Sequence, residues 1–174
     1  NKPGTLVVDE DEVVEQELVS GIAYSRDEAK ITLVKVADKP GVAARIFGPL
    51  ADAGVNVDMI VQNVSDDGKA TDLTFTVTRS DLEHAVDILK EKKDDLGYQD
   101  LSSDLDVVKV SVIGVGMRSH AGVAQRMFKC LGDEGVNIQV ISTSEIKVSC
   151  AIQESDAEKA VTLLHAAFDL DKET

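Results

Sequence analysis

The sequence has few aromatic residues, few cysteines and no long apolar run. Aromatic residues make up 3% of its 174 residues and tryptophan is absent, which leaves little for stacking nucleic-acid bases. The two cysteines, Cys130 and Cys150, have no metal-ligand spacing and do not suggest a disulfide framework, so we expect a reduced, cytoplasmic setting. No apolar run approaches the roughly 18 residues of a membrane-spanning helix, so no membrane partner is expected.

Basic residues are also scarce. Lysine and arginine number 18 against 32 aspartate and glutamate residues, which gives a formal net charge of −14. So acidic a surface repels phosphate backbones, and we expect no nucleic-acid partner. Segment 1–17 is especially acidic and is predicted to be an exposed linker. Because the chain starts at Asn1 and has no secretion signal, we interpret it as a fragment or a processed piece.

The sequence does contain an internal duplication. Residues 41–47 (GVAARIF) recur 81 positions later as 122–128 (GVAQRMF). Two further segments recur in the same order, 54–57 as 135–138 and 80–89 as 155–164. The last pair is 75 positions apart, so the length difference falls between elements, where loops tolerate it. The chain is therefore predicted to contain two copies of one unit.

Each copy has the pattern strand, helix, strand, strand, helix. In the first copy, β-branched residues 31–36 precede a helical apolar stripe over 42–53, and Leu73, Phe75 and Val77 alternate with threonines as in a half-buried strand. Ser80 and Ser155 are predicted to cap the last helix of each copy. A βαββα pattern closes with a fourth strand. The predicted fold class is therefore α+β, with two ferredoxin-like βαββαβ units in tandem, antiparallel sheets and helices on one face.

The fourth strand has different sources in the two copies. The first copy has a candidate in 98–102, whereas the second copy has none after its last helix. A spare strand precedes the first copy at 18–24. We infer that this strand completes the second unit, so that unit 1 (25–103) is nested inside unit 2 (18–24 plus 104–174), after a linker at 1–17.

No catalytic or metal-binding constellation stands out. The three histidines are dispersed, and no Ser/His/Asp grouping or phosphate-binding loop is visible. Residues 114–119 (GVGMRS) begin like a dinucleotide fingerprint, but the sixth position is Ser119 rather than glycine. We therefore expect no catalytic residue and no metal site in this chain.

A polar loop before a helix N-terminus occurs in both copies, at 37–41 and 116–122. Free backbone N–H groups and the helix dipole suit a carboxylate there. Asn56 or Asn137 starts the next strand, and Asp58 could hold an ammonium group. The arrangement suits a small zwitterion. Two tight turns with ordinary loop polar residues explain the same pattern, and the residues alone leave both interpretations open.

Four segments resemble the tandem ACT regulatory domains of aspartokinase. They are 38–43 (DKPGVA), 54–63 (GVNVDMIVQN), 114–123 (GVGMRSHAGV) and 141–146 (ISTSEI), and the resemblance extends over 18–170. It implies the regulatory part of a kinase that phosphorylates aspartate with ATP and Mg²⁺, the first step toward lysine, threonine and methionine. The family's catalytic KFGG segment is absent, so this chain is expected to be non-catalytic and to act with a catalytic domain or alpha subunit.

The resemblance also implies feedback inhibition by lysine, threonine or both, bound between ACT units of a homodimer. By motif match, a threonine-type site would contain Asp38, Lys39, Pro40, Gly41, Val42, Ala43 and Gln62, with Asn137 and Ile138 from the facing unit. A lysine-type site would contain Asn56, Val57 and Asp58, facing Met117, Ser119, His120, Ala121, Ser144 and Glu145.

Other interpretations stay open at this point. The chain could be an ACT-type amino-acid sensor that regulates a different enzyme or a transcription factor. A ferredoxin-like enzyme such as an acylphosphatase would need a phosphate loop with an arginine, for which Arg118 is the candidate. An RNA-binding module of similar topology would need basic, aromatic strands, which this chain lacks.

Overall fold

A computed structural model describes residues 19–64, 69–114 and 122–170. Its strands are β1 (Gly21–Ala37), β2 (Val57–Val64), β3 (Ala70–Val77), β4 (Asp100–Ile113), β5 (Ile138–Thr143) and β6 (Lys147–Gln153). Its helices are α1 (Val42–Asp52), α2 (Leu82–Glu91), α3 (Lys93–Leu96), α4 (Val123–Asp133) and α5 (Ala157–Ala167). Within these residues, no helix has both the length and the apolar character that crossing a membrane requires.

The six strands form one antiparallel sheet in the order β2-β3-β1-β4-β6-β5. The C-terminal part of β1 pairs with β3, and the C-terminal part of β4 pairs with β6. Each half of the sheet therefore contains one hairpin of its own and parts of the two long central strands. This is the α+β arrangement of two ferredoxin-like units that the sequence predicts, with both units sharing β1 and β4.

The two central strands are longer than the sequence pattern predicts. Segments 18–24 and 31–36 were expected as separate strands, but β1 is continuous over 17 residues. Likewise, the sequence pattern predicts one strand at 98–102 and another, the first of the second copy, at 107–115, whereas β4 is a single strand of 14 residues over Asp100–Ile113. Residues 21–25 pair with 109–113, which is the pairing that the nested arrangement requires. The predicted unit boundaries at 24/25 and 103/104 fall inside these strands because pairing continues across them, with bulges around Glu28.

A separate hydrophobic core lies under each half of the sheet. In the first half, α1 buries Val42, Ile46 and Leu50 against β1 and β3, and Phe47 meets Phe75 edge to face at 5.1 Å between ring centroids. The second core repeats this with Val123, Met127 and Leu131 of α4 packed against β4 and β6. Each fully buried aliphatic side chain contributes roughly 1.5–3 kcal/mol of transfer free energy.

The last helix of each unit begins differently from the capping prediction. A 3₁₀ turn, Arg79–Asp81 or Glu154–Asp156, leads directly into α2 or α5, and neither helix start has a side-chain cap. The hydroxyl of Ser80 instead pairs with that of Thr78 at 3.0 Å, and the Thr78 hydroxyl donates to the Asp81 carboxylate at 2.8 Å. The predicted caps at Ser80 and Ser155 are therefore wrong, because the preceding 3₁₀ turn takes over the start of the helix.

The two halves also meet through the sheet face that carries no helix. The edge strands β2 and β5 approach each other, and Met59 and Val61 pack with Val140 and Ala151 in a small third core. In a further contact between the two halves, the Arg79 guanidinium contacts the Glu154 carboxylate at 2.7 Å. Arg79 and Glu154 are equivalent positions of the two repeats, so equivalent positions meet each other across this contact.

Candidate effector site

An open cavity of about 420 Å³ lies at the start of α1. Its lining is Asp38, Lys39, Pro40, Gly41, Val42, Ala43 and Gln62. These are the seven residues that the motif match assigns to a threonine-type site on one chain. Gln62 lies on β2, beyond the first strand and helix, so the fold brings it to the 38–43 loop.

The loop is shaped by backbone hydrogen bonds and by one left-handed glycine. The Asp38 N–H donates to the Lys69 carbonyl at 3.0 Å, and the Val42 N–H closes a tight turn on the Lys39 carbonyl at 3.1 Å. Gly41 has φ +86°, which a residue with a side chain rarely adopts. The next two N–H groups, of Ala43 and Ala44, have no backbone acceptor among the described residues. Of these two residues Ala43 lines the cavity, so its N–H is available to an anionic group there.

The equivalent loop of the second unit lies largely outside the described residues. Gly122 repeats the left-handed conformation with φ +114° immediately before α4, but 115–121 are not described. The predicted site residues Met117, Ser119, His120 and Ala121 fall in this gap, as does most of the GVGMRS segment. Ile138 is the first residue of β5 and Asn137 immediately precedes it; neither lines the α1 cavity of the same chain.

The described residues of the predicted lysine-type site lie on two separate elements. Asn56, Val57 and Asp58 form the entry to β2, where Asn56 and Asp58 are exposed. Ser144 and Glu145 occupy the turn between β5 and β6, which is held by the Ser144 N–H donating to the Lys147 carbonyl at 2.8 Å.

Asp58 is positioned by an irregularity in β2. The pairing with β3 shifts register between Asp58 and Val61, and Met59 adopts φ +48° within the strand. One Asp58 carboxylate oxygen accepts the Met59 N–H at 2.8 Å, and the other accepts the Lys109 ammonium at 2.7 Å. Burial alone would raise the pKa of Asp58, but these hydrogen bonds and the lysine charge outweigh it and lower the pKa below the ordinary value.

Lys109 joins Asp58 to a second carboxylate. Its ammonium also contacts Glu28 at 2.8 Å, and only 7% of Glu28 is exposed. Burial opposes the charged form of Lys109, yet the hydrogen bonds to Asp58 and Glu28 raise its pKa above the ordinary value. Sequence reasoning missed Lys109 and Glu28. The available signal was a lysine between apolar residues of β4, at the same place as Lys30 in β1.

The histidine, cysteine and carboxylate side chains of the described residues are dispersed rather than clustered. No three histidine, cysteine, aspartate or glutamate side chains there could hold a metal ion together. Burial raises the pKa of the Cys150 thiol to about 12, and burial also raises that of Cys130. Both thiols therefore stay protonated and weakly nucleophilic at neutral pH.

Comparison with known families matches both halves of the chain. The profile of the ACT domain matches residues 30–94, and a second ACT-domain profile matches residues 110–168. The molecule is therefore a tandem pair of ACT domains, the class that the fold and the repeated loop–helix feature define.

Relatives and solved structures show to which family within this class the chain belongs. The chain is 56% identical to the aspartokinase of Pseudomonas aeruginosa over 171 residues and 45% identical to that of Corynebacterium glutamicum over 174 residues. The two alignments include 97% and 98% of this chain, respectively, but only 41% of each relative.

Two solved chains are covered almost completely by the match to this chain. A chain in the crystal structure of aspartokinase alpha and beta subunits is 49% identical with a TM-score of 0.81. The ligand-free regulatory subunit of aspartate kinase from Thermus thermophilus is 36% identical with a TM-score of 0.82. Each match covers 87% of this chain and 99% of the other. This chain belongs to the aspartokinase family, of which it is the regulatory ACT portion, and the predicted resemblance and fold class are confirmed.

Proposed function

We propose that this chain binds lysine, threonine or both as feedback inhibitors of an aspartokinase. The reaction under control is the phosphorylation of L-aspartate by ATP with Mg²⁺, in the cytoplasm. ATP and Mg²⁺ would bind the catalytic domain or alpha subunit, and we assign no phosphoryl-transfer step to the residues of this chain. The observation that carries the proposal is the α1 cavity, whose lining coincides with the threonine-type set.

The chemistry of the cavity suits the backbone groups of a free amino acid. The N–H group of Ala43, at the positive end of the α1 dipole, can receive the carboxylate. The Asp38 carboxylate and the Gln62 side-chain carbonyl can accept from the ammonium. About 420 Å³ accommodates a small amino acid. Threonine is the proposed occupant here, and Asp58 is the proposed partner of a lysine ammonium at the second site.

The proposal includes a homodimer, because two residues of the predicted threonine-type site do not line the α1 cavity of the same chain. Asn137 and Ile138 would come from the facing unit of a second copy. The edge strands support this arrangement, since Ile60 and Val64 of β2 and Ile141 of β5 are exposed large apolar side chains. Pairing of two copies along these edges would cover them and satisfy the free strand edges.

Titration calorimetry with a single cavity variant tests the proposal. Gln62→Ala removes one hydrogen-bonding group from the cavity, and we expect threonine affinity to fall about fivefold, the equivalent of ~1 kcal/mol. Asn63→Ala is the matched control, because Asn63 is the exposed neighbour on β2 and does not line the cavity. It should bind threonine as the unaltered chain does.

Two results would contradict the proposal. One is the absence of binding heat with millimolar threonine, lysine or their mixture. The other is a Gln62→Ala affinity equal to that of the unaltered chain and of Asn63→Ala, which would remove the α1 cavity from the function.

A further inference from the structure

The ammonium group nearest to Asp58 belongs to the chain itself. Lys109 of β4, in the second unit, reaches across to Asp58 of β2, in the first unit, at 2.7 Å. Any cationic effector that uses the Asp58 carboxylate therefore meets an oxygen that already accepts from an ammonium. The other oxygen of Asp58 accepts from the Met59 backbone, so neither oxygen is without a partner.

The repeat-equivalent contact, from a lysine of the first unit to β5 of the second unit, ends on an amide instead of a carboxylate. Lys30 of β1 is the repeat equivalent of Lys109, since Lys30 pairs with Thr76 as Lys109 pairs with Ala151. The neighbouring hydroxyl contacts, Thr32–Thr74 and Ser111–Ser149, correspond in the same way. Lys30 reaches the side-chain carbonyl of Gln139, the repeat equivalent of Asp58. Its nearest carboxylate is Asp104 at 3.9 Å. Of these two equivalent positions, only Asp58 can pair an ammonium by charge.

The two carboxylates that contact Lys109 differ in how readily a ligand could reach them. The Glu28 side chain is 9% exposed, whereas the Asp58 side chain is 55% exposed. A ligand can thus approach Asp58 from solvent but not Glu28. If an effector ammonium replaced Lys109 at Asp58, Lys109 would keep its contact with Glu28, and no buried charge would lose its last partner.

We propose that Lys109 is a specificity-determining residue of the Asp58 site, which competes with the effector ammonium for the Asp58 carboxylate and withdraws to Glu28 when the effector binds. This inference rests on the proposed function, because it specifies how a lysine-type effector enters its site. The apparent affinity for lysine is the intrinsic affinity multiplied by the fraction of molecules in which Asp58 is released.

Removal of the competing ammonium tests this inference. Lys109→Met retains most of the aliphatic stem and removes the charge, and we expect it to bind lysine about fivefold more tightly than the unaltered chain in calorimetric titration. Lys30→Met is the matched control at the equivalent position and should leave the lysine affinity unchanged. Threonine affinity at the α1 cavity should be the same in all three proteins, which keeps the test separate from that of the proposed function.

A second variant covers the case in which Lys109→Met is too unstable to titrate. Glu28→Gln with Lys109→Met removes the buried carboxylate that would otherwise lose its partner, and the gain in lysine affinity is expected here as well. In the unaltered chain, NMR of ¹⁵Nζ-labelled lysine residues should show the Lys109 signal shifting on titration with unlabelled lysine.

The outcomes separate the two hypotheses. If both Lys109 variants bind lysine no better than the unaltered chain, or if the Lys109 signal does not shift, the inference is overturned, and threonine binding at the α1 cavity would still support the proposed function. If none of the proteins binds lysine or threonine, both are overturned.

Discussion

Gly41 combines a left-handed backbone with open space around its α-carbon. Its φ is +86°, and a Cβ placed there would meet no atom within 4 Å. The cost of a side chain at this position is therefore a backbone cost and not a clash with a neighbour. The turn that Gly41 permits precedes Ala43, which lines the cavity.

Gly41→Ala should destabilise the chain by about 1–2 kcal/mol, because alanine is strained at positive φ. Gly132→Ala is the matched control: Gly132 lies in α4 with ordinary dihedral angles and equally open space. Since alanine is the better helix former, this variant should be more stable by roughly 0.5–1 kcal/mol. Urea unfolding followed by circular dichroism measures both. Equal effects of the two substitutions would contradict the role given to the Gly41 backbone.

Single residues also show what sequence could predict of the candidate site. The loop 38–43 was predictable, because its turn-forming residues precede a helix and repeat in the second copy. The ion pair of Asp58 was not, since Lys109 is 51 positions away and lies on another unit. Lys109 comes close to Asp58 because the curvature of the sheet brings β2 and the C-terminal part of β4 together. No local sequence pattern encodes this curvature.

At the scale of elements, β1 contains a bulge that is fixed by a side chain. Pairing with β3 shifts between Leu33 and Val36, and Lys35 there adopts φ +52°. The Lys35 N–H, which the bulge removes from the ladder, donates to the Asp72 carboxylate of β3 at 2.8 Å. The carboxylate thus replaces a missing strand acceptor.

Asp72→Ala should lower the free energy of unfolding by about 1 kcal/mol, because it leaves the Lys35 N–H without its acceptor. Asp72→Asn keeps a side-chain carbonyl at the same place and should recover most of that loss. Thermal or urea unfolding checks both variants. If the two variants were equally stable, the hydrogen bond to Lys35 would not contribute to the stability of the bulge.

The elements themselves were largely predictable because their apolar periodicity is strong. Helix α1 ends within one residue of the predicted range 42–53, and β3 contains the predicted alternation at 73–77 but begins three residues earlier, at Ala70. The continuity of β1 was not predictable, because the polar residues 25–28 interrupt its alternation. They remain in the strand because β4 pairs beside them, and cross-strand pairing is a tertiary effect that local propensity does not contain.

For the whole molecule, the shared strands connect two cores that are otherwise separate. β1 and β4 each contribute apolar residues to both cores: in β1, the partly buried Ile22 packs against the second core, whereas Ile31 is buried in the first. Unfolding of the sheet over one core would therefore disrupt a strand that also belongs to the other core. We therefore expect the two ACT units to unfold together.

Ile46→Ala and Met127→Ala, at equivalent positions of α1 and α4, test this expectation. Both side chains are fully buried, and each truncation should cost about 2–5 kcal/mol. Because the units share strands, each variant should shift one common unfolding transition to lower temperature. Scanning calorimetry would detect a second transition in either variant, and such a transition would contradict cooperative unfolding.

The contact between Arg79 and Glu154 joins unlike charges because one residue comes from the first unit and the other from the second. Since the two residues occupy the same place in their repeats, two first units joined by this geometry would set guanidinium against guanidinium. Two second units would set carboxylate against carboxylate, and like charges so close repel each other. Only the pairing of a first unit with a second unit is free of this repulsion, and each chain contains one of each. Divergence at a single site after duplication thus discriminates against self-association of either half.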